Sequence, residues 1–210
     1  MNIKDFSTLI RCAAVLSLPF LIAACATIVR PGYTSDIASL KPGSYSIDPD
    51  HSTVLFKVDH FGLSKYVGRF NSLEASLEFD PENIESTRLH AIVNTASIDV
   101  GDADFSKTLA GPDWFDSERY PQAVFTTESL KFAEGGDVVF TGQLEMLGKS
   151  QAMDISIRFN GGATNMLTGF YTIGFSASAV LKRSEFGMNK HLGLVGDDIE
   201  LEIHAEFQKR

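Results

Sequence analysis

Between Ser52 and His60 the side chains alternate one for one: Val54, Phe56, Val58 and His60 share one face, while Thr53, Leu55, Lys57 and Asp59 share the other. That period belongs to a strand with one dry and one wet side, and it is incompatible with a one-faced helix. The pattern returns at Leu73–Phe79, where Leu73, Ala75, Leu77 and Phe79 oppose Glu74, Ser76 and Glu78. It returns again over 151–159, with Met153, Ile155, Ile157 and Phe159 against Asp154, Ser156 and Arg158, and over 199–207, with Ile199, Leu201, Ile203, Ala205 and Phe207 against Asp198, Glu200, Glu202, His204 and Glu206. Strands are also expected over 43–48, 88–98, 123–130, 138–147 and 169–181. The intervening Asp48-Pro49-Asp50, Asp80-Pro81-Glu82-Asn83, Gly135-Gly136, Gly148-Lys149 and Gly161-Gly162 carry turn chemistry, and Gly62, Ser64 and Gly68 after His60 are expected to interrupt any regular element and let the chain double back. The chain is therefore all-β and antiparallel. Seven or eight short strands in about 165 residues fit a sandwich or a closed barrel, and closure removes exposed edges.

One region departs from this rhythm. Over 101–120 Asp102 or Asp104 can cap a helix, Phe105 and Leu109 stand i to i+4 on one face, and Gly111-Pro112 ends it. We expect a helical lid on an open end of the sheet.

The N-terminus is of a different kind. Lys4 and Arg11 precede an apolar run from Cys12 to Ala24 that is shorter than the roughly 20 residues of a spanning helix. Residues 1–24 read as a signal peptide. Leu21-Ile22-Ala23-Ala24-Cys25 resembles the bacterial lipobox, which implies an acylated Cys25 as first mature residue; Ala26 behind it resembles an outer-membrane lipoprotein. Residues 25–42, with two prolines, a glycine and no periodicity, are expected to form the lipidated cysteine and a tether. The domain would span 43–210. Cys12 and Cys25 are the only cysteines, so a disulfide framework is excluded from the domain.

A net charge of −9 argues against a nucleic-acid partner, which needs a basic stripe. The five histidines show neither the helical i, i+4 nor the H-x-H spacing that converges two imidazoles on an ion, so no metal site is expected. Nucleophile-elbow and phosphate-loop motifs are absent, the glycine-rich stretch 187–196 lacks a strand-to-helix context, and no catalytic residues are expected. Phenylalanine dominates the aromatic residues, at 16 against 1 Trp and 5 Tyr, which suits either a filled core or a pocket for an apolar ligand. By facing, the walls of such a pocket would be Val54, Phe56, Val58, Phe105, Leu109, Ile155, Ile157 and Phe175, with His60 at a polar mouth.

Ordered motifs then carry a family resemblance. Tyr45-Ser-Ile-Asp48-Pro-Asp-His51-Ser52, Val58-Asp-His60-Phe-Gly62-Leu-Ser64, Gly68-Arg-Phe70, Ala96-Ser97-Ile98-Asp99, Trp114-Phe115-Asp116, Tyr120-Pro121, Phe125 and Arg183-Ser-Glu-Phe186-Gly187 resemble the YceI-like family of bacterial polyisoprenoid-binding proteins. The resemblance implies an eight-stranded lipocalin-like barrel enclosing an apolar pocket for an isoprenoid lipid of quinone or polyprenyl type, without a further cofactor. The family's Arg-Asp-x-His-Leu run is replaced by Phe105-Ser106-Lys107-Thr108-Leu109, which removes its charged and imidazole groups. Expected partners are thus the lipid and, through Cys25, a membrane on the periplasmic side of the envelope; a homodimer stays open. The alternative is an envelope interaction module that docks through its acidic outer face.

Overall fold

The computed structural model describes residues 32–132 and 138–210. The expected signal peptide, Cys25 and the first part of the expected tether lie outside the described residues. Strands run in chain order as β1 (Gly43–Ile47), β2 (Thr53–His60), β3 (Ser64–Phe70), β4 (Leu73–Phe79), β5 (Arg88–Asn94), β6 (Ile98–Asp99), β7 (Gln122–Phe132), β8 (Val138–Met146), β9 (Lys149–Thr164), β10 (Tyr171–Lys182) and β11 (Val195–Lys209), with one helix, α1 (Ala103–Ala110), between β6 and β7.

Every pairing is antiparallel, and the sheet closes because β11 meets β10 along one edge and both β1 and β2 along the other. β1 pairs β4 while β2 pairs β3, and β4 pairs β5 while β3 pairs β6. β1 with β2, β3 with β4 and β5 with β6 each run end to end as a single stave, so eleven strands make an eight-stranded up-and-down barrel. The couples are broken at 48–52, 71–72 and 95–97. Asp48 and Asn94 each accept a backbone N–H two residues on, from Asp50 and Ala96 at 3.1 and 3.0 Å, and so turn the chain locally out of the ladder.

The alternation dictates which side chains enter. Val54, Phe56 and Val58 of β2, Phe140 and Leu144 of β8, and Met153, Ile155 and Ile157 of β9 are all buried. Turns close as their residues demand: Leu147 and Gly148 both take positive φ (54° and 70°) in the two-residue β8–β9 hairpin.

Two expectations need correction. Residues 64–70 form β3, although Ser64 and Gly68 suggest interruption: the Phe56 ring occupies the place of a side chain at 68, where an added Cβ would fall 2.3 Å from Phe56 Cζ. The strand expected over 88–98 stops at Asn94, because Thr95 turns inward to donate its hydroxyl to Tyr120 O at 2.8 Å. The helix of the 101–120 region spans Ala103–Ala110 and ends before Gly111, as expected; Asp102 caps it through Phe105 N–H at 2.9 Å, and beyond Gly111 the chain folds into turns, with Asp116 at φ 43°.

The described part of the tether also differs from a free spacer. Thr34 and Gly162 exchange both backbone hydrogen bonds at 2.9 Å, Leu40 is 3 % exposed, and Tyr45 donates its hydroxyl to Lys41 O at 2.5 Å. Ile37 and Leu40 pack into the cluster of Leu77, Phe79, Ile173 and Phe207. The segment caps one end of the barrel because burying these two side chains outweighs ordering a short stretch of backbone. The opposite end carries the 61–63 turn, α1, the 147–148 turn and the 183–194 loop; we refer to it as the mouth.

Candidate functional site

A cavity of about 780 Å³ runs within the barrel, in the range of roughly 300–1,000 Å³ typical of small-molecule sites. Val54, Phe56, Val58, His60, Phe105, Leu109, Ile155, Ile157 and Phe175, the residues read from facing, all stand on its wall. The phenylalanines thus do not fill the core.

The middle of the wall is apolar, with Phe70, Phe125, Phe140, Phe175 and Leu201 facing inward from both sides. Polar groups gather at the ends. At the capped end Ser35, Thr87 and Arg158 reach the cavity. The Thr87 hydroxyl is buried without a partner among the described residues. At the mouth stand His60, Tyr66, Thr108, Arg183, Lys190 and His191. Among the described lining residues there is no Asp or Glu, so every ionisable group other than Tyr66 that meets the cavity is basic.

The mouth is assembled by three segments. In the turn after β2, Phe61 and Gly62 take positive φ (57° and 67°); for Phe61 this is a strained conformation, costing about 1–3 kcal/mol. Two bonds hold it: Phe61 N–H donates to Leu194 O at 2.9 Å, and Gly62 N–H to Asp59 Oδ1 at 2.7 Å. The strain turns Phe61 onto His60, ring centroids 4.5 Å apart and edge to face. Tyr66 then bridges His60 and Phe105, at 6.3 and 5.9 Å.

The third segment is organised by Arg183, which is 2 % exposed. Its guanidinium donates to four carbonyls, those of Gly196 (2.8 Å), Met188 (2.8 Å), Lys190 (2.9 Å) and Val195 (3.0 Å). It also lies 5.8 Å from the Trp114 ring, so one cation ties the 183–196 loop to the turns after α1. Burial lowers the affinity of this guanidinium for its proton, yet its ordinary value is so high that it stays charged. Burial works against the charge of Asp197, but Ser184 donates both its N–H (2.9 Å) and its hydroxyl (2.8 Å) and holds the carboxyl below its usual range. Lys190 bonds Asp113 across the mouth and likewise holds that carboxyl low.

Arg183, Lys190 and His191 escape a reading by facing because they lie in a loop without periodicity. The Arg183-Ser-Glu-Phe186-Gly187 motif was the one signal available.

Outside the barrel, the carboxylates of β11 are not an open acidic face. Glu202 pairs with Lys57 (2.6 Å) and His204 (3.0 Å), Glu200 with Lys65 (2.9 Å) and Asp198 with Lys182 (2.7 Å). Asp48, His51 and Glu206 are close enough to converge on an ion, but Asp48 Oδ2 already receives His51 Nδ1 at 2.9 Å and Gln208 Nε2 at 2.5 Å, which fixes the break between β1 and β2.

Comparison with known proteins agrees with this geometry. The YceI-like domain family matches residues 45–207. A UPF0312 protein of Pseudomonas aeruginosa is 31% identical over 164 residues, covering 77% of this chain and 85% of its own. The crystal structure of Burkholderia cenocepacia BcnA superimposes with a TM-score of 0.68 at 26% identity, over 76% of this chain and 98% of its own. A polyisoprenoid binding domain from Saccharophagus degradans implicated in plant cell wall breakdown shares the fold at a TM-score of 0.60 and 13% identity, over 79% of this chain and 98% of its own.

Proposed function

The chain belongs to the YceI-like domain family, and from that premise we propose that it binds an isoprenoid lipid of quinone or polyprenyl type, for sequestration or transport. The observation that carries this reading is the distribution of chemistry along the cavity: an apolar barrel interior that leads to a mouth where the ionisable groups lining the cavity, apart from Tyr66, are basic. Each buried CH₂ contributes about 0.8 kcal/mol, so a hydrocarbon tail binds without directed contacts once association costs are met. His60, Lys190 and His191 suit a head that accepts hydrogen bonds or bears negative charge, as a quinone carbonyl or a phosphate does. They disfavour a cationic head. Phe61, Phe105 and Leu194, which are 53 %, 38 % and 51 % exposed and line the cavity, give an entering tail an apolar rim.

The relative from Saccharophagus degradans, described as polyisoprenoid-binding, supports the ligand class. The Leu21-Ile22-Ala23-Ala24-Cys25 sequence supports acylation of Cys25 and a periplasmic-side anchor, with Ala26 favouring the outer membrane. The rival reading, docking through an acidic outer face, loses support because Asp198, Glu200 and Glu202 are paired with lysines. Catalysis is not part of the proposal.

Native mass spectrometry of protein purified from its own host tests the reading. We expect a bound mass that extraction identifies as an isoprenoid, and its loss in Phe56→Asp, which sets a carboxylate on the cavity wall. Protein that carries no isoprenoid and takes none up from added quinone or polyprenyl phosphate overturns it.

A further inference from the structure

The exposed apolar residues form two groups at opposite ends of the barrel. Those toward the mouth include Phe61, Phe105 and Leu194 of the cavity rim, which ligand entrance accounts for, and Leu63, Val67, Val180 and Leu192, which do not line the cavity. The other group is Tyr33, Met166, Leu167 and Phe170, which are 47 %, 56 %, 96 % and 49 % exposed, and none of them lines the cavity. Tyr33 donates its hydroxyl to Asn160 O at 3.0 Å, while Met166, Leu167 and Phe170 present their apolar atoms to solvent.

Three of the four sit on the β9–β10 turn, which is built to hold them outward. Asn165 N–H donates to Phe170 O and Gly169 N–H to Asn165 O, both at 2.8 Å. The Asn165 side chain accepts from Leu167 N–H at 2.9 Å. The corresponding β4–β5 connection at the same end carries Asp80, Glu82 and Asn83 instead. A fixed turn that presents Met and Leu to water, beside a tyrosine, is the pattern of an interaction site rather than of a solvated loop.

The course of the N-terminal chain identifies the occupant. The Thr34–Gly162 bridge is antiparallel, so Tyr33, which precedes Thr34, lies on the side of the bridge that leads along β9 to this same turn. Cys25 stands eight positions before Tyr33, a reach of about 28 Å when fully extended. The mouth lies farther off: the 15 residues of β11, at about 3.3 Å each and a barrel tilt of roughly 40°, span some 35–40 Å along the axis. An anchor at Cys25 therefore brings the capped end, and not the mouth, against its membrane.

We propose that the 165–170 turn and Tyr33 form a bilayer-docking surface. Met166, Leu167, Phe170 and the tyrosine ring enter the headgroup region, which makes the anchor a two-point attachment and points the mouth away from the anchoring membrane. The choice of a bilayer rests on the lipoprotein reading of Cys25.

Hydrogen exchange of the full mature chain, with and without phosphatidylethanolamine and phosphatidylglycerol vesicles, tests this. The mass of the mature N-terminus is read from the same sample. We expect amides of 165–170 to slow by about threefold or more on vesicles while those of 61–64 stay unchanged, and the Met166→Glu, Leu167→Glu double variant to lose the slowing without altering exchange in the barrel strands. An acylated, vesicle-bound chain whose 165–170 amides exchange as in buffer overturns the docking surface and leaves the lipoprotein reading intact. An unacylated chain that still shows the slowing sustains the docking surface and removes the lipoprotein reading; one that shows none overturns both. Slow exchange without vesicles, joined to a dimer in solution, assigns the patch to a second copy and likewise overturns the proposal.

Discussion

The mouth and the capped end of the barrel are held by opposite means. At the capped end Leu40, Ile37 and Tyr45 pack on Leu77, Phe79, Ile173 and Phe207, an apolar closure with a tyrosine hydroxyl as its main polar tie. At the mouth a single buried guanidinium gathers four carbonyls, and carboxylates take what Ser184 and Lys190 donate. Apolar packing is non-directional and seals. A polar network fixes a loop without filling the space around it, so an end that must stay open is better framed this way.

If the contrast is right, Arg183→Leu should have the largest effect. It leaves four carbonyls without their donor at about 1–3 kcal/mol for each one that stays buried, so we expect a loss of several kcal/mol in urea unfolding, with exchange rising first over 183–196. Arg183→Lys should rescue little, because an ammonium cannot reproduce the planar fork. Leu40→Ala should cost about 2–5 kcal/mol and loosen the capped end while mouth amides keep their protection; equal loosening at both ends would erase the distinction.

The two ends should also part company with pH. Asp197 and Asp113 titrate lower in the folded chain than in the unfolded one. Their contribution is full above the ordinary carboxylate value of about 3.9 and drains as pH falls toward the folded values, so Trp114 emission should report a mouth that gives way in acid. Tyr45 is displaced the other way, chiefly by burial. Its contribution is full below the ordinary value of about 10 and drains as pH rises beyond it, so the capped end should yield in alkali. The smallest effect is expected on the outer wall, where Lys57→Ala should change stability by less than about 1 kcal/mol in the same unfolding assay, since exposed pairs are screened by solvent.

The walls were legible in the sequence to the extent that each strand has one wet face. Alternation alone places Val54, Phe56, Val58, Ile155 and Ile157 on the cavity, because a period of two leaves only the sign of the face to be chosen. It fails at β3, where Gly68 reads as a breaker but is the space taken by the Phe56 ring, a contact with a neighbouring strand. It fails again at Ile37 and Leu40, whose burial follows from where the barrel ends and not from any local period. Arg183 is harder still: its function lies in four carbonyls spread over one loop, and a lone arginine beside a strand end ordinarily reads as solvated.

The three breaks at 48–52, 71–72 and 95–97 fall side by side across adjacent staves, whereas β7 to β11 run unbroken on the other side. Above and below that line, different strands make the hydrogen bonds, so the ladder does not transmit a bend from one half to the other. One side of the barrel is thus a stiff back and the other an articulated front with a crease at its waist.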